Sequence, residues 1–154
     1  DDADLLETFN QAVARVCRRL AEMIVGDGER VEHVVRLTVE GAPSHEAADR
    51  VARAIGNSLL VKSSWFGSDP NWGRIVDAAG SARTGIREDA LDLWYGDVPV
   101  LEKGRALGEN LPLWKEVVSR KSFDIRLNLN LGRGTAELLS TDLTTGYVDF
   151  NKSE

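Results

Sequence analysis

Val31-Glu32-His33-Val34-Val35-Arg36-Leu37-Thr38-Val39-Glu40, followed at once by Gly41-Ala42-Pro43 and Ser44, is the stretch whose reading sets the fold class. Val31, His33, Val35, Leu37 and Val39 alternate with Glu32, Val34, Arg36, Thr38 and Glu40, the two-residue period of a strand with one face mostly buried. Gly41 to Pro43 stops the strand, and Ser44 suits the N-cap of a helix. In that helix Ala47, Ala48, Val51, Ala52 and Ile55 form a stripe of mostly small residues, which allows close approach to a sheet; Gly56 and Asn57 end it.

Upstream, Leu6, Phe9, Val13, Val16, Leu20 and Met23 recur at steps of three and four, which predicts an amphipathic helix from Asp4 to about Val25. Asp4 and Glu7 read as its capping arrangement, Gly26 and Gly28 as its exit. Cys17 sits at the edge of the apolar stripe and reads as a small core residue. Downstream, a short apolar stretch from Leu59 to Val61 leads into Trp65-Phe66-Gly67-Ser68-Asp69-Pro70-Asn71-Trp72-Gly73-Arg74. Asp69 as N-cap and Pro70 at the first helical position predict a third helix from Pro70 to about Ala79, closed by Gly80.

The second half has strand character. Leu91, Leu93 and Tyr95, a turn at Gly96-Asp97, and Val98 to Leu101 read as a hairpin. Glu102 to Arg120 is polar and reads as a long loop or short irregular helix. Phe123, Ile125, Leu127 and Leu129 mark another strand, Gly132-Arg133-Gly134 a hairpin turn, Thr135 to Ser140 its return strand, and Gly146 to Phe150 a last strand. The order predicts one layered α+β domain over residues 1–154, with three helices in the N-terminal half and a mixed or antiparallel sheet.

The 154 residues are 42% hydrophobic and 29% charged, and 19 Lys plus Arg against 25 Asp plus Glu give a net charge of -6, which disfavours a general nucleic-acid-binding surface. One cysteine precludes an internal disulfide, and no Cys/His cluster has zinc-ligand spacing, so neither a structural metal nor an oxidising compartment is expected. Nothing in the chain reads as a signal peptide, a transit peptide or a membrane helix, and the cytoplasm is the expected location. His33 and His45 have no nucleophile partner at a recognisable spacing, and His33 reads as a half-buried strand residue. Gly26-Asp27-Gly28 and Gly132-Arg133-Gly134 lack the length of a dinucleotide fingerprint and the lysine of a phosphate loop, and read as punctuation. Asn151-Lys152-Ser153 matches the glycosylation pattern in form only. The four tryptophans are assigned to core and interface.

Leu60-Val61-Lys62 and Phe66-Gly67-Ser68-Asp69-Pro70-Asn71-Trp72-Gly73-Arg74-Ile75 resemble the characteristic passage of the ornithine acetyltransferase (glutamate N-acetyltransferase) family of arginine biosynthesis. Similar blocks follow in family order: Gly26-Asp27-Gly28-Glu29 and Val35 to Gly41 upstream, then Leu129 to Gly134, Thr141-Asp142-Leu143-Thr144 and Gly146-Tyr147-Val148-Asp149 downstream. Members of that family cut themselves before a threonine, whose amine and hydroxyl then serve the β chain as base and nucleophile. Acetyl passes from N-acetylornithine to glutamate through this threonine, some members also accept acetyl-CoA, and the α chain contributes an oxyanion hole.

The resemblance implies that this chain is the C-terminal part of a β chain, with the nucleophile-bearing segment absent and no catalytic residue of its own. The fragment is then expected to be inactive by itself, with the α chain and the remaining β segment as partners. No cofactor is implied, acetyl-CoA entering as a substrate. Two substrate-binding positions carry over. Glu29 matches the family glutamate that contacts the amino-acid portion of the substrate, and Asn151 matches the C-terminal asparagine that helps to bind it. Arg30-Val31-Glu32-His33 stand where the family usually has a small residue and then Thr-Lys. The Asp69 to Arg74 passage is assigned a structural role. The alternatives are a binding or oligomerisation domain that keeps the scaffold without the chemistry, and a relative of the threonine-nucleophile aminopeptidases.

Overall fold

In the computed structural model, which describes residues 2–152, the strand at the heart of the sequence reading is β1 (Val34–Ala42). It runs inside a mixed sheet with β2 (Asp92–Tyr95), β3 (Val98–Glu102), β4 (Arg105–Ala106), β5 (Ser122–Asn128) and β6 (Gly134–Thr141), in the order β4-β3-β2-β5-β1-β6. β1 lies parallel to β5 and antiparallel to β6. Val35, Leu37 and Val39 face the core together with their register partners Phe123, Ile125 and Leu127, so the two-residue period is expressed as expected. The β2–β3 hairpin turns at Gly96, in the left-handed region at φ +57°, where a side chain would be strained.

The helices are α1 (Asp2–Gly26), α2 (His45–Gly56), α3 (Leu59–Phe66), α4 (Trp72–Ser81), α5 (Leu111–Val118) and α6 (Thr145–Lys152). The expected α+β class with a mixed sheet is what forms. Ser44 caps α2 by accepting from Ala47 N at 3.2 Å. Ala47, Ala48, Val51, Ala52 and Ile55 are all buried, against β1, β6 and α4. α5 covers the same sheet face through Trp114, whose ring centroid is 5.1 Å from that of the buried Tyr95.

Several local expectations are corrected. Gly132 to Gly134 does not close a hairpin, because β1 stands between β5 and β6. Leu131 and Gly132 both donate to Gly41 O, at 2.7 and 2.8 Å, and an added Cβ at Gly132 would lie 3.0 Å from Pro43 Cα. The glycine therefore lets the connection cross the end of β1. Leu59 to Val61 is no mere apolar stretch but opens α3, capped by Ser58, which accepts from Val61 N at 3.4 Å. α4 is capped by Asn71 in place of Asp69: Asn71 Oδ1 accepts from Arg74 N at 3.2 Å, while Asp69 accepts from Asn71 Nδ2. The polar segment after Glu102 contains β4 and α5, the latter with Pro112 in its first turn. Gly146 to Phe150 is helical, since the Thr144 hydroxyl accepts from Tyr147 N at 2.9 Å and starts α6.

α1 departs most from expectation. It begins by Asp2, so Asp4 is inside it, and none of its described residues is buried. Arg18 and Glu22, one turn apart, face the open side of the sheet: Arg18 pairs with Glu137 at 3.7 Å and Glu22 with Arg36. The apolar stripe points away from the sheet, with Phe9 63% and Leu20 52% exposed, and Cys17 is exposed with it. His33 is buried but lies before β1, its Nδ1 donating to Arg120 O at 2.8 Å. Ser153 of the Asn151-Lys152-Ser153 pattern lies outside the described residues.

Candidate functional site

α1 unwinds at Gly26, with Asp27 and Gly28 donating back to Met23 O and Val25 O at 3.0 and 3.3 Å. The turn that follows has Arg30 in the left-handed region at φ +56° and Val31 N donating to Gly28 O at 3.2 Å, and it leaves the Glu29 side chain exposed. Glu29 lies on the wall of a cavity of about 530 Å³ between the end of α1, α3 and the end of β6. Ile24, Val25, Lys62, Asp142 and Tyr147 line it as well.

Lys62 reaches the floor from α3 and is half-buried. Its ammonium donates to Thr141 O, with Thr141 Oγ1 and Ser140 Oγ each at 3.4 Å. Burial lowers its pKa below the ordinary lysine value, and the nearby Asp142 carboxylate works in the opposite sense. Asp142 is buried: Oδ1 accepts from Glu32 N at 3.2 Å, its own N donates to His33 O at 3.2 Å, and Oδ2 has no hydrogen-bond partner among the described residues. Thr144 Oγ1 donates to Arg30 O at 2.9 Å, and the Arg30 guanidinium sits 5.6 Å from the centre of the Phe150 ring.

The arrangement supplies an acidic side chain at the mouth and a cation on the floor, with an aliphatic wall from α1. It is suited to holding a small charged molecule. Among the described residues no histidine or cysteine lines it. Among the described residues no group of three or more His, Cys, Asp or Glu is placed to hold a metal ion, and no helix is long and apolar enough to cross a membrane.

A sequence model of the ArgJ family matches residues 1–153. The chain belongs to the ArgJ family. The ArgJ relatives include the arginine biosynthesis bifunctional protein ArgJ of Chlorobium chlorochromatii, 41% identical over 94% of this chain and 34% of its own length. The protein of the same name from Dehalococcoides mccartyi is 42% identical over 93% of this chain and 35% of its own length. The chain thus spans about a third of the length of these curated relatives. The crystal structure of arginine biosynthesis bifunctional protein argJ from Bacillus halodurans has a TM-score of 0.91 and 30% identity, over 96% of this chain and 70% of that chain.

Within this ArgJ-family fold the two carried-over positions are treated differently. Glu29 is on the cavity wall, whereas Asn151 is exposed on α6, donates to Tyr147 O at 2.8 Å and is not among the lining residues. The Asp69 to Arg74 passage lies elsewhere, and Arg74 Nη1 donates to Leu60 O at 2.8 Å, which ties α4 to α3. Lys62, Asp142 and Thr144 escape a reading by residue type, although Thr141-Asp142-Leu143-Thr144 carries part of the family resemblance. The available signal was an Asp-x-Thr before Gly146, a turn able to bind backbone groups on both sides.

Proposed function

We propose that this chain is the C-terminal part of the β chain of an enzyme that moves acetyl from N2-acetylornithine to glutamate in arginine biosynthesis. Glu29 pairs with the side-chain ammonium of ornithine, a charge-assisted contact, and Asn151 completes the substrate contacts once the rest of the protein is in place. The reacting threonine belongs to a segment outside this sequence. Its hydroxyl, relieved of a proton by its own amine, attacks the acetyl carbonyl; the amide bond to ornithine breaks, the ornithine nitrogen takes a proton, and an acetyl-threonine ester forms. The glutamate amine then attacks the ester, forms the new amide and returns the proton to threonine. Acetyl-CoA is an alternative acetyl donor; no resident cofactor takes part. The reaction takes place in the cytoplasm, and the isolated chain is inactive.

The observation that carries the reading is Glu29 on the cavity wall of a chain that belongs to the ArgJ family. The exposed apolar stripe of α1 supports the assembly with the family α chain and the rest of the β chain, because an uncovered stripe of this length is unusual unless a partner covers it. The same stripe favours the second reading, an oligomerisation domain without chemistry. The test is steady-state acetyl transfer from N-acetylornithine to glutamate by the complete gene product. Transfer is expected, and Glu29→Ala raises KM for N-acetylornithine about tenfold. A complete protein that binds its partner segments and transfers no acetyl would establish the second reading.

A further inference from the structure

The turn that carries Glu29 is poorly held by its own residues. Glu29 and Arg30 are exposed, Arg30 has φ +56°, a backbone state that non-glycine residues populate at a cost, and the turn's internal hydrogen bond is Val31 N to Gly28 O. Three further backbone groups of the turn and its exit are met from one place, the three residues between β6 and α6. Asp142 Oδ1 accepts from Glu32 N, Asp142 N donates to His33 O, and Thr144 Oγ1 donates to Arg30 O. The two side-chain bonds join positions 110 and 114 residues apart in the chain. The same Thr144 oxygen accepts from Tyr147 N and starts α6, so one hydroxyl sets both the Glu29 turn and the helix that bears Asn151.

We infer that Asp142 and Thr144 are positioning residues that clamp the Glu29 turn and so set the affinity of the cavity for its amino-acid substrate. The inference rests on the acetyl-transfer reading above. Both residues act through Glu29, and neither exchanges a proton with substrate. Asp142 is 5% and Thr144 2% exposed, so the clamp is sheltered from water that would compete for the turn's backbone groups. Displacing a binding carboxylate by a fraction of the turn's width weakens substrate binding and leaves the reacting centre, which lies outside this chain, in place.

The test uses the complete gene product and the steady-state kinetics of N-acetylornithine. Asp142→Ala and Thr144→Val are expected to raise KM about tenfold with kcat within about twofold. Asp142→Asn and Thr144→Ser, which keep the oxygen that meets the turn, recover most of that loss. Asp142→Ala added to Glu29→Ala produces no further rise, as expected of residues acting in one unit. If Glu29→Ala raises KM and the clamp variants do not, the clamp is overturned and the acetyl-transfer reading stands. A flat response to Glu29→Ala itself overturns the role of Glu29 and the clamp with it. Should Asp142→Ala fail to fold, amide hydrogen exchange in the Thr144 pair decides: faster exchange at Val31 and Glu32 in Thr144→Val than in Thr144→Ser supports the clamp, and equal protection overturns it.

Discussion

Tyr95 shows how one buried hydroxyl couples the core to pH. It is 1% exposed between Trp114 and Phe123, and burial raises its pKa above the ordinary tyrosine value. An unfolded tyrosine ionises near about pH 10. Above that pH the unfolded chain binds fewer protons than the folded one, so the stabilising contribution, complete below the unfolded pKa, is lost as the pH rises toward the folded pKa. Tyr95→Phe therefore shows a smaller fall in its urea midpoint between about pH 8 and about pH 11 than the parent chain. Lys62, whose lowered pKa acts in the opposite sense, is common to both proteins and does not alter the comparison. Equal falls would show that Tyr95 is not the titrating group. At this scale Glu29 was readable because the family resemblance assigns it a substrate contact, whereas Lys62 and Asp142, also inside family blocks, acquire meaning from neighbours 79 and 110 positions away.

Element boundaries follow from small competitions between caps. Asp69 and Asn71 are both good N-cap residues, and in the structure Asn71 holds Arg74 N while Asp69 accepts from Asn71. Asn71→Ala is expected to destabilise the chain by about 1 kcal/mol, and Asp69→Ala by less, in matched urea titrations. The reverse order would return the cap to Asp69. α6 makes the same point: Tyr147, Val148 and Phe150 satisfy a strand or a helix equally well over so short a run, and the Thr144 hydroxyl decides for the helix. α2 was legible because its stripe is long, its cap is Ser44 and both agree with the packing.

At the scale of the molecule, one face of the sheet is covered and α1 stands on the other with its apolar side outward. Phe9→Ser combined with Leu20→Ser should change the unfolding free energy of this chain by no more than about 0.5 kcal/mol, as for ordinary surface sites. Leu37→Ala, in the fully buried centre of β1, should cost about 2–5 kcal/mol. In the complete protein the α1 pair is expected to become costly as well, by about 2 kcal/mol or more, because the proposed assembly buries the stripe. A large effect in the isolated chain would mean that the stripe already packs within it. What the amino-acid order determined by itself is whatever depends on neighbours a few residues apart: the period of β1, the stripe and cap of α2, the hairpin at Gly96, and the family passage around Trp72. Tertiary structure decided that β1 enters between β5 and β6, that α1 turns its apolar side outward, and that the turn after Gly28 meets Asp142 and Thr144. The physical reason is that strand order, helix orientation and cavity walls are set by contacts between distant segments, and local periodicity states which face of an element is apolar without stating what that face will meet.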